Sequence, residues 1–392
     1  MPKAIGHVDP DLKRFATASQ SKYIDAVNEL GSIGAVAAHF DVNHSVVSES
    51  IASVRKKAAM YGVSPEHNMT KEVPAPFVVK GVSTYYDKEG EVRGQWVKSQ
   101  LDRQQAYEAL IEWVGWLTTD AKGLSPIVPA PVSASSDLLA VYPLGDPHIG
   151  MYAWAKECGD DFDLVEAERL TTGAVDRLVE TAPPAETAII LPLGDVFHAN
   201  DQSNVTPGHK HQLDVDSRYP KVIAVGIKTF RHAILRALEK HQRVYVRIEP
   251  GNHDPEAKWA LAFALSAYFE NNPRVEVDLA PGKFWFHRFG KVLIASTHGD
   301  TVKHDRLPGI MAAMKPEDWG ATTYRYWYTG HVHHQAVKEF PGVVCESFRT
   351  LAAKDAFSAG HGYLAGRDMR LIVHHREYGE VERHRCDVAM LQ

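Results

Sequence analysis

Five short polar islands constrain this chain more than any other feature: Asp146-Pro147-His148, Gly194-Asp195, Gly251-Asn252-His253-Asp254, His298-Gly299 and Gly330-His331-Val332-His333. Each follows a short apolar run, respectively LLAVYPLG, AIILPLG, VYVRIEPG, KVLIAST and RYWYTG. Runs of this length, rich in aliphatic and aromatic residues, read as buried strands. Every island then starts at the carboxyl end of a strand, where open α/β sheets gather their sites. Side chains far apart in sequence are thereby brought together in space.

The 392 residues exceed the roughly 250 to 300 at which a single core stops growing, so two or three domains are expected. No stretch approaches the roughly 20 apolar residues of a membrane span, so no membrane partner is expected. The opening MPKAIGHVDPDLKRF carries charges and no apolar h-region, which points away from a secretory signal and towards a cytoplasmic location. Cys158, Cys345 and Cys386 form no close-spaced pair, so neither a disulfide framework nor a cysteine zinc site is expected. A net charge of −6 argues against a uniformly basic nucleic-acid coat, although carboxylates that hold cations would not count towards it. Of the 21 histidines, His298, His304, His331, His333 and His334 cluster in or near the islands. Imidazole is the commonest metal-ligand side chain, so the bias is chemical.

Ahead of the islands, residues 1–65 read as a small helical domain. One apolar helix carries Tyr23, Ile24, Val27 and Leu30 up to Gly31, and a short second helix carries Ala35, Val36, Ala38 and Phe40. After an Asp41-Val42-Asn43 turn, a third carries Val46, Val47, Ile51 and Val54. The pattern resembles a helix-turn-helix. Its third helix would present His44, Ser45, Ser48 and Glu49 to base edges, and Arg55, Lys56 and Lys57 to phosphates. The other reading is a three-helix bundle that packs on something else. Residues 66–121 read as a connector: a hairpin over 77–99, then an amphipathic helix over 101–119 with Tyr107, Leu110, Ile111, Val114 and Leu117 on one face. Tyr85, Tyr86 and Trp96 could stack on bases or simply pair across the hairpin. The Pro- and Ser-rich stretch 122–136 reads as a linker, and 137–392 as an α/β domain with helices over 164–181 and 218–241.

In order, DxH, GD, GNH(D/E), H and GHxH resemble the calcineurin-like metallophosphoesterase superfamily over about 138–348. The resemblance implies an α/β fold, a two-sheet α-β-β-α sandwich, here preceded by the helix-turn-helix domain. It also implies two divalent metal ions, manganese foremost, with magnesium, iron or zinc as alternatives. On the family pattern Asp146, His148 and His333 hold one ion, Asn252, His298 and His331 the other, and Asp195 bridges them. All the donors are nitrogen or oxygen, which suits borderline divalent cations. Such pairs activate a water and stabilise both attacking and leaving oxygens. The family places His253 against the phosphate, as hydrogen-bond donor or as acid to the leaving group. Asp254 would orient that imidazole and support its cationic form.

The superfamily covers protein phosphatases, nucleotidases, cyclic-nucleotide phosphodiesterases and nucleases, so flanking residues must decide between them. Purple acid phosphatases carry a tyrosine three residues after the bridging aspartate, where this chain has His198. The run Gly194-Asp195-Val196-Phe197-His198 is similar instead to SbcD-type DNA repair nucleases, in which the final histidine takes part in nuclease action. His198 is therefore a second catalytic candidate, the alternative being a histidine that only hydrogen-bonds nearby. Those nucleases act as dimers, so a homodimer follows from the resemblance. Their ATPase-binding region lies after the core, whereas only a short tail follows Phe348 here, so ATPase coupling is not expected.

Beyond the islands, the loop after His198 offers Lys210 and His211 to a phosphate or to solvent, and an insertion over 300–324 brings Lys303, His304 and Arg306 towards the cleft. Arg349 and Arg367 read as phosphate clamps or as salt-bridge partners, and His374 and His375 as structural. The leading expectation is a manganese-dependent DNA phosphodiesterase, exo- or endonuclease. Alternatives are a phosphatase or phosphodiesterase of small nucleotides or phosphoprotein, and a non-catalytic DNA-binding accessory protein. A helix-turn-helix ahead of a phosphoesterase is also similar to proteins of tailed bacteriophages, which would act in host cytoplasm.

Overall fold

Thr17 and Gln20 start the first helix, α1 (Ala18–Leu30), by exchanging hydrogen bonds: each side-chain oxygen accepts the other residue's backbone N–H. Gly31, at φ 74°, ends it with its N–H donated to the Val27 carbonyl. Ser32 then caps α2 (Ile33–His39), and Asp41 turns the chain at φ 53° into α3 (His44–Met60). In this computed structural model the described residues are 7–61, 77–86, 92–101 and 122–392. Two units emerge, Met1–Glu112 and Trp113–Gln392.

The three helices bury Ile24, Val27, Val36, Val47, Ile51 and Val54 against Val8 and Leu12. Leu30, Phe40 and Val46, expected on the apolar faces, are exposed instead. Each sits in a terminal turn or just beyond one; Phe40 still meets the Tyr23 ring of α1 edge-on at 5.4 Å. In the same unit β1 (Phe77–Tyr86) pairs antiparallel with β2 (Val92–Leu101), as the alternating pattern predicted. The turn expected at 87–90 and the side chains of Tyr85 and Tyr86 lie outside the described residues, and Trp96 is solvent-facing. Leu101, read as the first residue of a helix, closes β2; the rest of the helix expected over 101–119 lies outside the described residues.

The second unit is an α/β structure with two sheets. Its six-stranded sheet includes β3 (Ser135–Leu144), β4 (Ala185–Pro192), β5 (Arg243–Val246) and β6 (Val275–Val277), all parallel. The five-stranded sheet runs through β7 (Trp285–Phe289), β8 (Val292–Ser296), β9 (Tyr324–Thr329), β10 (Ala336–Phe340) and β11 (Val343–Ser347) in the order β10-β11-β9-β8-β7. At the far edge of the first sheet, β12 (Asp368–His375) and β13 (Gly379–Asp387) complete the order β13-β12-β3-β4-β5-β6. The tail thus adds strands, as expected.

Alternation along the strands gives each sheet a face for the other. Leu139, Val141, Ile189 and Leu191 of the larger sheet meet Val292, Ile294, Tyr326 and Tyr328 of the smaller in one buried cluster. Leu293, Ala295 and Trp327 point the other way, onto Leu307 and Met311 of a short outer helix. On the opposite side, Leu164–Thr181 and Tyr219–Lys240 cover the larger sheet with their apolar stripes. The layering is therefore α-β-β-α. The stretch read as a linker is partly pinned to this unit: Gly123 N–H donates to the Ala267 carbonyl, Ser125 N–H to Tyr268, and Arg274 to the Val128 carbonyl.

Candidate metal centre

All five islands lie where parallel strands end, and the two sheets open onto the same mouth. Asp146 and His148 follow β3, Asp195 and His198 follow β4, Asn252 and His253 follow β5, His298 follows β8, and His331 and His333 follow β9. Asp146, His148, Asp195, His331 and His333 all have positive φ, between 41° and 66°. Such residues cost roughly 1 to 3 kcal/mol each and persist only where the surroundings over-determine them. They make up five of the nine non-glycine positive-φ positions among the described residues. Strain is concentrated at this mouth, as at sites built for function.

Two acid-bearing donor groups form, the second including Asp195. In the first, Asp146, His148 and His333 bring one donor each within 4.8 Å of the others. His148 Nε2 and His333 Nε2 lie 3.0 Å apart, and His333 Nε2 is 3.8 Å from Asp146 Oδ1. In the second, Asp195, His298 and His331 converge likewise, with His298 Nε2 at 3.2 Å from Asp195 Oδ2 and 3.0 Å from Asn252 Oδ1. His298 Nδ1 donates to the Leu193 carbonyl at 2.8 Å, which orients the ring so that Nε2 faces Asp195 and Asn252. All seven expected metal ligands therefore gather at this mouth.

Glycines make the approach feasible. A Cβ on Gly251 would fall 1.9 Å from Asp195 Oδ1, and one on Gly330 would fall 2.6 Å from Asp146 Oδ2. The His253 and His331 main-chain N–H groups donate to Asp195 and to both oxygens of Asp146. Backbone amides thus orient the carboxylates before any ligand arrives.

The electrostatics fit cations. Asp146, Asp195 and Asp254 are buried together, with no Lys or Arg ion pair to any of them among the described residues. Burial, reinforced by Asp195 and Asp254 and opposed by His298, pushes Asp146 up to about 8. Burial and the Asp195 charge push Asp254 up to about 6. Although burial pulls His298 down, Asp195 and Asp146 override it and hold the imidazole at about 10. Against its own burial, Asp195 is held well below the usual carboxylate range by His298. Positive charge is required here, and nitrogen and carboxylate donors suit a divalent ion. A third group, His148, His198 and His253, contains no carboxylate to balance such a charge.

His253 lines the cavity, and its Nδ1 donates to the His198 carbonyl at 2.8 Å. Asp254, expected to orient that ring, does not touch it. Its oxygens accept the N–H groups of Gly251 and Phe197 at 3.1 and 3.0 Å, so it braces the two island loops against each other. The residue pair is adjacent in sequence, but the tight loop turns the two side chains apart. His198 is buried and is not among the residues lining the cavity; its Nδ1 meets His148 Nδ1 at 3.2 Å and its Nε2 has no partner.

The cavity at the mouth has a volume of about 730 Å³. Its second wall comes from the segment after β11 from Thr350 to Arg367, of which the sequence pattern singles out only Arg367. Thr350 anchors it by donating its hydroxyl to the Asp146 carbonyl at 2.6 Å. The insertion over 300–324 does not line this cavity; His304 is turned to the Thr329 hydroxyl. Arg349 pairs with Asp368, while Arg367 pairs with Asp160 and donates to the Leu351 carbonyl, so both have structural partners. His374 is buried against the Tyr328 hydroxyl. Lys210 is exposed, and the His211 ring lies 6.5 Å from that of Phe357 on the cavity wall. In the other unit Ser45, Lys56 and Lys57 are exposed, and Ser48 and Arg55 half-buried.

A buried tie under the mouth also went unread. Arg247 donates to Glu249, whose other oxygen accepts the Ser296 hydroxyl, linking the loop after β5 to the end of β8. No periodicity signals such a pair, since both charges interrupt an otherwise apolar run.

No protein-family model and no curated protein matches this chain. Among solved structures, a predicted phosphoesterase from Streptococcus pneumoniae is similar at 9% identity, covering 64% of this chain and 99% of its own, with TM-score 0.27. Vps29 from Entamoeba histolytica, complexed with zinc, is similar at 13% identity over 63% and 98%, TM-score 0.27. Vps29 from Cryptosporidium parvum follows at 14% over 64% and 98%, TM-score 0.28. Likenesses of this order fix neither family nor activity.

Proposed function

We propose that this chain is a metal-dependent phosphodiesterase that cuts DNA. One observation carries the reading: nitrogen and carboxylate donors from both sheets meet at one strained mouth, where three buried acids have histidines beside them but no Lys or Arg partner among the described residues. Asp146, His148 and His333 would hold one divalent ion, Asn252, His298 and His331 a second, and Asp195 both. Bound there, the ions would lower the pKa of a water and offset phosphate charge. His253, fixed through Nδ1, has Nε2 left for a phosphate oxygen or a leaving group. His198 holds His148 by its Nδ1 and so positions a ligand.

DNA as the polymer is supported by the Gly194-Asp195-Val196-Phe197-His198 run and by the helical N-terminal unit with Lys56 and Lys57 exposed on α3. Manganese, a homodimer and a role in phage DNA metabolism belong to the same reading. The test is digestion of linear single- and double-stranded DNA with Mn²⁺, beside an EDTA control and Asp195→Ala. Chelator-sensitive cleavage that the variant lacks is expected. Intact DNA throughout, or faster hydrolysis of mono- or cyclic nucleotides, would overturn it.

A further inference from the structure

Five aromatic side chains form an exposed run beside the metal centre. The ring centroids of His209 and His211 are 5.8 Å apart, those of His211 and Phe357 6.5 Å, and those of Phe357 and His361 4.1 Å. His361 and Tyr363 stack at 5.9 Å. All five face solvent, Phe357 and Tyr363 with 58% of their surface. Rings left in water at this density mark a contact surface.

The run ends at the catalytic mouth, since Phe357 and Tyr363 line the same cavity as Asn252, His253, His331 and His333. Lys354 lines it too, with no ion pair among the described residues, whereas Arg367 on the same wall is committed to Asp160. Only His361 and Tyr363 are stacked on each other, while the other three ring contacts are tilted by 34° to 46°; exposed rings so arranged, beside a lysine and a cluster of metal donors, complement alternating bases and phosphates. In a duplex each base face is covered by its neighbour, so only an unpaired strand offers faces for rings to stack on.

We propose that His209, His211, Phe357, His361 and Tyr363 form a stacking track for an unpaired DNA strand, with Lys354 holding the phosphate that the track delivers to the metals. The inference rests on the phosphodiesterase reading and adds its substrate class. Each stacked base is worth about tenfold in affinity.

The experiment measures fluorescence anisotropy of the full chain, in Ca²⁺, with labelled oligothymidylate and with an abasic backbone of equal length. Wild type should bind oligothymidylate about tenfold or more tightly than the abasic strand. Phe357→Ala and Tyr363→Ala should each lower that preference by about tenfold, one stacked base's worth, and Phe357→Trp should keep it where Phe357→Leu does not. Both side chains are largely exposed, so truncation leaves the core packing in place. Equal binding of the two strands by wild type, or an undiminished preference in the alanine variants, would overturn the track. Hydrolysis of the same strands in Mn²⁺ is scored separately: its absence sinks the phosphodiesterase reading, while anisotropy still decides the track.

Discussion

His253 donates its Nδ1 proton to the main-chain carbonyl of His198, in the loop of another island, at 2.8 Å. A carbonyl only accepts, so the neutral ring must carry its proton on Nδ1 and present Nε2 to the cavity. The bond sets both tautomer and direction. It also ties the loop after β5 to the loop after β4, so the candidate acid moves with Asp195.

Replacing His253 with Asn should therefore cut phosphodiester hydrolysis by about 10² to 10⁴-fold, the range of a lost proton-transfer group. Metal content by elemental analysis should stay at the wild-type value, because the His253 ring belongs to neither acid-bearing donor group. A parallel loss of metal would assign His253 to the ligands instead.

Chelation should destabilise the protein, since the buried acids then lose their counter-charge. At a thousandfold excess over its Kd, a bound ion adds about 4 kcal/mol. Asp146→Asn should lower this metal-dependent gain in Tm and raise the Tm measured in EDTA, because it removes one of three neighbouring buried carboxyls. An EDTA-insensitive wild-type melt would contradict both statements.

Gly226 lies in the helix Tyr219–Lys240, and a Cβ there would meet Phe197 Cε1 at 2.4 Å. Phe197 is wholly buried between Val196 and His198, so displacing it pushes the bridging-acid loop. Gly226→Ala should cost about 1 to 3 kcal/mol by overpacking and weaken metal binding measured by calorimetry. Adding Phe197→Leu should recover part of both. Unchanged stability in the single variant would show that the helix has room to shift.

His241 is fully buried between the Tyr142 hydroxyl and the Ala185 carbonyl, and burial pulls it down to about 4. His374, buried against Tyr328, is pulled down to about 3 by burial with help from Arg383. Both stay neutral in the fold below about pH 6.5, where the unfolded chain takes up protons. Unfolding is therefore favoured as pH falls from about 6.5 to 4, and His241 alone accounts for roughly 3 kcal/mol of lost stability. Urea melts across this range should show the slope, and His241→Gln should flatten it; a variant as acid-sensitive as wild type would refute the assignment.

DNA binding by α3 predicts a salt signature. Lys56→Glu with Lys57→Glu should lower the slope of log affinity against log salt by about one for each phosphate that α3 no longer neutralises. An unaltered slope would leave the helical unit with a purely structural part.

Local pattern made much of this molecule legible. Apolar runs located the strands, Gly31 marked a helix end, and polar islands after the strands marked where donors gather, because these signals depend only on near neighbours in sequence; the set of seven ligands came from the resemblance to a known family. What no local signal held was direction and company. Asp254 turned away from His253 because a tight loop aims adjacent side chains apart, and Asp254 found backbone N–H groups to satisfy instead. Leu30 and Val46 are exposed, against expectation, because a helical face is buried only as far as its partner reaches. The Arg247–Glu249–Ser296 tie and the aromatic wall from Phe357 to Tyr363 depend on loops brought together by the stacking of two sheets, a long-range event that residue spacing does not encode. Sequence thus determined which atoms can bind a metal, and tertiary structure decided which of them face the substrate, since facing is fixed by packing between segments distant along the chain.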